Sequence, residues 1–347
     1  MSLQAQTLVA SIPSPSISSI EIGPLNIHFY ALCILTGIVI AVIMTNSRLT
    51  RKGAEPWVVL DIALLVVPLA IVVARIYHVL THPNDYFGEG RNTWDITEPG
   101  SVWAIWEGGI AIFGALLGGG IGVWIMCRVK GLSFAAVADA LVPGLILAQA
   151  CGRFGNWFNQ ELFGSVTTLP WGLEIDRPNS AIPEGTPADA LFHPTFLYEV
   201  VWNALGCLVL LWLGKKAFFS WGRLLGTYLI WYGAGRIVWE NIRIDPSEVI
   251  YGLRSNVWAA IFAVVLGLLI IALQYKLHPG AQTSAYLDGH TWDEEERPAA
   301  SETALVPEGG AESADNGTEG ADGADGADGA ATSKPGDTPS GSDPEKD

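Results

Sequence analysis

A chain of 347 residues that is half hydrophobic and only 16% charged is too apolar for an ordinary soluble enzyme, although its formal net charge of -16 resembles that of an acidic soluble protein. The acidity is local: residues 281–347 hold 17 acidic and 3 basic side chains, leaving 18 against 16 for residues 1–280. Cys33, Cys127, Cys151 and Cys207 lie in or at the ends of apolar runs, without the paired spacing of a zinc site or disulfide framework, and read as small buried hydrophobes.

Residues 1–26 carry no Lys or Arg and so lack the basic region of a secretory signal, which makes the first apolar run a retained span. Seven runs are long enough to cross a bilayer: Ile27 to Ser47, Trp57 to Leu80, Ala104 to Cys127, Phe134 to Cys151, Phe196 to Leu213, Leu224 to Ile244 and Asn256 to Tyr275. The expected fold is an all-α polytopic membrane protein. A membrane domain of seven helices over 27–276 carries a small outer-face cap formed by 152–195 and is followed by a disordered acidic tail, 277–347. That tail, rich in Gly, Ala, Asp, Glu, Ser and Pro, has too few apolar residues to fold by burial.

Orientation follows from the basic residues, which are retained on the cytoplasmic side. Arg48, Arg51, Lys52, Arg128, Lys130, Lys215, Lys216, Arg223 and Lys276 fall in one set of short connections, whereas Arg91, Arg153, Arg177, Arg243 and Arg254 fall in the other. The expectation is an N-terminus outside, a C-terminus in the cytoplasm, and the polar stretch Gly152 to Gly164 at the outer surface. Trp57, Trp94, Trp103, Trp106 and Trp124 lie near span ends, as an interfacial aromatic belt would. In the third span Gly114, Gly118 and Gly122 recur every four residues, a stripe for close helix packing; a phosphate loop would need a Gly-Lys-Ser/Thr ending and a preceding strand.

Ionisable residues inside spans are costly and tend to mark function. The sixth span carries Tyr232, Arg236, Glu240 and Arg243, which a helical wheel places within about 80° of one another. Two arginines against one glutamate leave a surplus positive charge, which favours an anionic ligand over a purely structural ion pair. Arg75 near the outer end of the second span and Arg153 after the fourth share that side, so that Arg75, Arg153, Arg236 and Arg243 are candidates for one phosphate-binding site. His193 opens a polar stretch directly before the fifth span and is a stronger candidate than His28, His78 or His82, for which interfacial anchoring suffices. There is no His and carboxylate spacing for a metal and no Gly-x-Ser-x-Gly elbow. On these grounds alone a transporter or channel for an anionic solute competes with an enzyme, although it would be expected to show internal repeats, and none is found.

Gly152-Arg153-Phe154-Gly155-Asn156-Trp157-Phe158-Asn159-Gln160-Glu161, closing on Gly164, resembles the signature of the bacterial prolipoprotein diacylglyceryl transferases. His193-Pro194-Thr195 with Leu197-Tyr198-Glu199, Tyr232-Gly233 with Arg236, Glu240 and Arg243, Ala74-Arg75, Gly23-Pro24 before Tyr30, and Glu107-Gly108-Gly109 are similar to the family as well. The resemblance covers about residues 20–275. It implies transfer of the diacylglyceryl group of phosphatidylglycerol to the lipobox cysteine of a preprolipoprotein, with release of glycerol phosphate, in the bacterial cell (inner) membrane. The implied partners are that lipid, the signal peptide with its lipobox cysteine, and the bilayer; no cofactor, metal or nucleic acid is implied. By the same resemblance Arg153 and Arg236 clamp the phosphate, Asn156, Glu161, Glu240 and Arg243 orient or pair with them, and Tyr30 and Tyr232 line the headgroup cavity.

The chain departs from the family where some members place a histidine after the Gly-Gly pair, since Phe113 stands there and cannot accept a proton. Two routes to the thiolate stay open: a base at His193 or Tyr30, or an arginine field that lowers the thiol pKa without a dedicated base. At position 31 alanine follows the tyrosine where glycine is frequent, a change expected to affect packing only.

Overall fold

A computed structural model describes residues 11–292 other than 24, 88–92, 97–99, 106 and 107. The described residues form, in chain order, β1 (Ser19–Ile22), β2 (Leu25–His28), α1 (Phe29–Thr50), α2 (Val58–Thr81), the short α3 (Pro83–Tyr86), α4 (Ile112–Val129) and α5 (Phe134–Phe158). There follow β3 (Val166–Thr167), β4 (Leu191–Phe192), α6 (Thr195–Leu213), α7 (Arg223–Glu240), β5 (Val249–Ile250), β6 (Leu253–Arg254) and α8 (Ser255–Leu277). The three pairs of strands are separate antiparallel hairpins or clasps, so the architecture is helical. Six of the seven long helices have the length and apolar composition to cross a membrane. The seventh, α7, falls short in hydropathy because it carries Arg223, Arg236 and Glu240.

Small residues set how closely the helices approach. Gly114, Gly118 and Gly122 lie directly against Ala74, Leu69 and Val66 of α2, where an added Cβ would meet main-chain atoms at 2.7, 2.8 and 3.1 Å, so the glycine stripe is a packing surface. Gly37 and Gly144 join α1 to α5 in the same way, and Gly226 and Gly233 join α7 to α8. Trp202 and Trp231 stack at 4.5 Å and exchange hydrogen bonds, each indole N–H donating to the other's carbonyl, which fixes α6 against α7.

Three boundaries differ from the sequence expectation. The fourth span does not stop at Cys151: α5 continues to Phe158, so the polar stretch from Gly152 forms its last two turns and the cap begins only after it. The third span starts at Ile112 rather than Ala104, because Gly108 and Gly109 take φ of 98° and 69° while the chain wraps around Arg75. The sixth span ends at Glu240, which puts Arg243 beyond the helix and outside the stripe assigned to it.

At one end of the bundle the cap is built on Phe163, Leu173, Phe192 and Phe196, with the N-terminal segment tied in through Ile12, which bridges to Leu173. Further into the bundle Val142, Ile146, Cys207, Leu210, Leu224 and Tyr228 form a closed apolar cluster, and at the other end Leu49, Ala54, Val58, Leu132 and Ala285 form another. The segment after α8, expected to open a disordered tail at residue 277, is held against the bundle as far as His290. The remainder of the tail from 293, like Pro24, Arg91, Trp106 and Glu107, lies outside the described residues.

Candidate functional site

The capped ends of α1, α5, α6 and α7 enclose a cavity of about 310 Å³ whose walls include Tyr30, Gln149, Arg153, Asn156, Glu199, Asn203, Tyr232, Arg236 and Trp239, with Ile112 at the start of α4. Of the ten residues singled out from sequence, Tyr30, Arg153, Asn156, Tyr232 and Arg236 line it. Gly155 makes room for Tyr30, whose ring lies on the α5 backbone where any Cβ would collide with it.

Arg153 is held by residues on both sides. Its Nη1 donates to Asn156 Oδ1 at 3.2 Å and its Nη2 pairs with Glu199 Oε2 at 2.8 Å, while Asn156 Nδ2 donates to Glu161 Oε1 at 2.8 Å. Glu161 therefore stands behind Asn156 and orients it. Among the described residues Arg236 is held by Glu240, whose Oε2 lies 3.0 Å from Nη2, and Nη1 is buried without a hydrogen-bond partner. Glu240 is wholly buried, and a carboxylate there needs several partners. It has them in Arg236, in Arg243 at 3.5 Å, in Arg254 Nε at 2.9 Å and in Asn256 Nδ2 at 3.0 Å.

Arg243 does not join the cavity. The Nε–Nη2 edge of its guanidinium is taken by Asp245, at 2.7 and 2.8 Å from the two carboxylate oxygens, Nη1 turns to Glu240, and Arg254 caps the pair by donating to the carbonyls of Arg243 and Asp245. A count made along one helix misses Asp245 and, across the cavity, Glu199, and it equally misses Arg254 and Arg153, with which these two carboxylates pair. Burial alone would raise the Asp245 carboxyl, but hydrogen bonds from Arg243 and the charges of Arg243 and Arg254 hold it below its ordinary value.

Arg75 is also elsewhere. It is buried at a turn of the chain, where Nε donates to the Val102 carbonyl, Nη2 to Ser101, and Nη1 to Gly108 and Gly109, at 2.7 to 3.2 Å. Four carbonyls and the face of Tyr86, 4.9 Å away, account for the guanidinium, which organises the entry to α4. His193 lies outside the cavity wall, its Nδ1 3.1 Å from the Tyr198 hydroxyl, at the junction where Gly164 N donates to the His193 carbonyl and Ser165 N to that of Ile242. Phe113 is half exposed and tilts against Tyr77; its neighbour Ile112 reaches the cavity instead.

Sequence reasoning did not single out Gln149, Asn203, Trp239 or Asp245. For the first two a signal existed: each is a neutral polar residue inside an apolar helix, four positions from a charged one. The acidic residues of two spans near the opposite end of the bundle, Asp61 and Asp139, have local partners. Asp139 accepts from the backbone N–H of Gly222 and Leu225 and so caps α7, and Asp61 meets Lys130 at 2.5 Å. Among the described residues no group of His, Cys, Asp and Glu is placed to hold a metal.

In this cavity two guanidinium groups from different helices face one volume within an otherwise apolar bundle, an arrangement suited to a phosphate. Residues 18–273 match the family described as prolipoprotein diacylglyceryl transferase. A phosphatidylglycerol–prolipoprotein diacylglyceryl transferase of Leifsonia xyli subsp. xyli is 56% identical over 289 residues, covering 82% of this chain and 86% of the relative. Proteins of the same description from Bifidobacterium longum (strain DJO10A) and, as transferase 2, Streptomyces coelicolor are 44% and 41% identical, over 86% of this chain and 96% and 92% of their own lengths. The chain belongs to the prolipoprotein diacylglyceryl transferase family.

Proposed function

We propose that the cavity holds the headgroup of phosphatidylglycerol while the lipid's diacylglyceryl group passes to the lipobox cysteine thiol of a preprolipoprotein. The chain is a transferase of the membrane, and the reaction forms a thioether and releases glycerol phosphate. The observation that carries the assignment to this cavity is the placement of Arg153 and Arg236 on its walls, with one buried N–H group of Arg236 left unpaired by the protein.

In the reaction the sulfur attacks the glyceryl carbon that bears the phosphate, the C–O bond breaks, and its electron pair stays on the phosphate oxygen. The phosphodiester, with one negative charge, becomes a monoester carrying more. Fixed cations in a poorly hydrated site stabilise that gain most at the transition state. Arg153, locked between Asn156 and Glu199, supplies a fork with little freedom to lose; Arg236 supplies the second cation, held from behind by Glu240. Tyr30 and Tyr232 line the same volume, and the positive field of the arginines favours the thiolate over the thiol.

We place the cavity at the outer leaflet of the bacterial inner membrane, with the N-terminus outside and the C-terminus in the cytoplasm. Nine basic residues in the short connections at the opposite end support this orientation, and a lipobox cysteine emerging beside its signal peptide would meet the cavity at that depth. Transport of an anion has less support, because below the cavity the bundle is closed by Ile146, Leu210 and Leu224, each at most 1% exposed.

The test is transfer from phosphatidylglycerol to a lipobox peptide by the purified protein, read as a mass gain of one diacylglyceryl unit. Arg153→Ala and Arg236→Ala are each expected to lower kcat/KM by about 10²-fold or more, with membrane insertion intact. Absence of transfer by the wild type overturns the reading, and full activity in both variants removes this cavity from it.

A further inference from the structure

The cavity has two tiers. Arg153 on α5, Glu199 on α6 and Arg236 on α7 form an ionic ring. On each helix a neutral polar residue lies four positions further into the bundle, about 6 Å deeper at 1.5 Å rise per residue: Gln149, Asn203 and Tyr232. The helices run in alternating directions, so the offset is -4 on α5, +4 on α6 and -4 on α7, and all three reach one floor.

This floor holds one amide oxygen buried without a partner and a second amide open to the cavity. The Gln149 side chain meets the Tyr228 hydroxyl at 2.8 Å through Nε2, and its Oε1 is buried with no partner. Asn203, 6% exposed, makes no side-chain hydrogen bond among the described residues. Beneath them stand Ile146 and Tyr228 in the closed apolar cluster. Amide groups at such a depth need partners that both donate and accept, since a buried polar group without a hydrogen bond is destabilising. A phosphodiester group has no hydrogen to donate to an amide oxygen, and a hydrocarbon chain offers nothing to either end of an amide. A hydroxyl satisfies both ends, whichever way the amide is turned.

We infer that Gln149 and Asn203 form a polyol subsite that receives the hydroxyls of the donor lipid's headgroup glycerol, below the phosphate held by the arginines. The inference rests on the cavity's being the donor-lipid site and goes beyond it by assigning headgroup selectivity to two residues. In this arrangement the headgroup points into the bundle, the phosphate lies at the ring, and the glyceryl carbon under attack faces the mouth of the cavity.

The experiment compares two donors of equal phosphodiester charge, phosphatidylglycerol and phosphatidylethanol, whose headgroup has no hydroxyl, in the wild type and in Gln149→Leu and Asn203→Leu. The wild type is expected to favour phosphatidylglycerol in kcat/KM by at least about tenfold, because a site built to bond a hydroxyl rejects an analogue that lacks it. Each variant is expected to reduce that ratio about tenfold or to abolish it. The ratio is taken within one preparation, so loss of folded protein cancels. A wild-type ratio near one, or an unchanged ratio in both variants, overturns the inference. If neither variant can be purified, wild-type inhibition decides: glycerol 1-phosphate is expected to compete at least about tenfold more tightly than ethyl phosphate, and equal inhibition overturns the inference. A wild type that transfers from neither lipid defeats the functional reading instead, so the two failures are distinguishable.

Discussion

Arg153 Nη2 and Glu199 Oε2 meet at 2.8 Å across the α5–α6 interface, with 19% and 8% of their side chains exposed. This pair fixes one edge of the guanidinium and leaves the rest to Asn156 and the cavity. Glu199 is then a positioning residue for Arg153. Glu199→Ala would leave the cation free to turn, whereas Glu199→Gln retains an oxygen acceptor at the same place. Transfer should fall about 10²-fold or more in the first and about tenfold or less in the second. Assays over a range of phosphatidylglycerol concentrations check this, and equal loss in both variants would mean that the negative charge, not the orientation, is what matters.

Arg75→Met is expected to act on stability. The guanidinium serves four backbone carbonyls of the segment leading to α4, and burying these without a donor costs on the order of 3 kcal/mol or more. The apparent melting temperature in detergent should drop, while the KM for phosphatidylglycerol in the surviving folded fraction stays near that of the wild type. A large rise in KM without a change in melting would return Arg75 to the lipid site.

These two arginines also mark what was legible in the sequence. Hydrophobic run length secures six of the seven long helices, α7 being the one too polar to pass on that criterion, and helical periodicity puts Tyr232 and Arg236 on one face, because both lie inside α7. Periodicity fails at Arg243, since the helix has already ended at Glu240 and Asp245 then claims the side chain. It fails at Arg75 for another reason: the partners are main-chain carbonyls of an irregular segment, which carry no signature in residue type. Glu199 was visible as part of a motif, but its pairing with Arg153 depends on how α5 and α6 pack, a relationship between helices that no single-helix pattern contains.

Asp245 makes stability depend on pH. In the unfolded chain its carboxyl titrates near the ordinary value of about 3.9, and in the folded protein Arg243 and Arg254 hold it lower despite burial. Between those two values the unfolded state binds more protons, so stability rises with pH there. The contribution is complete above the unfolded value and is lost as pH falls through the folded one. Melting temperature measured between about pH 3 and 6 should therefore decline toward acid, and Asp245→Asn should be less stable at neutral pH and show a flatter decline. A variant curve parallel to that of the wild type would assign the acid sensitivity to other carboxylates.

The segment after α8 closes the other end of the bundle. Ala285 N–H donates to the Lys52 carbonyl and Ser133 N–H to that of Ala285, while Leu287 N–H donates to the Gly131 carbonyl. Gln282 Nε2 donates to the Ser133 hydroxyl, the Tyr286 hydroxyl accepts from Glu55 N–H, and Ala285 has no exposed surface. A dozen residues thus tie the α1–α2 and α4–α5 connections together and, through the Ser220 hydroxyl and the Arg223 guanidinium, the α6–α7 connection as well. Truncation after Trp292 keeps every residue of this clasp and serves as the reference. Truncation after His278 removes most of it and should cost several hydrogen bonds of about 1 kcal/mol each, seen as a lower melting temperature. The cavity lies at the far end of the bundle, so phosphatidylglycerol transfer at a temperature well below melting should survive both truncations. Equal melting of the two shortened proteins would show that the docked segment contributes nothing to stability.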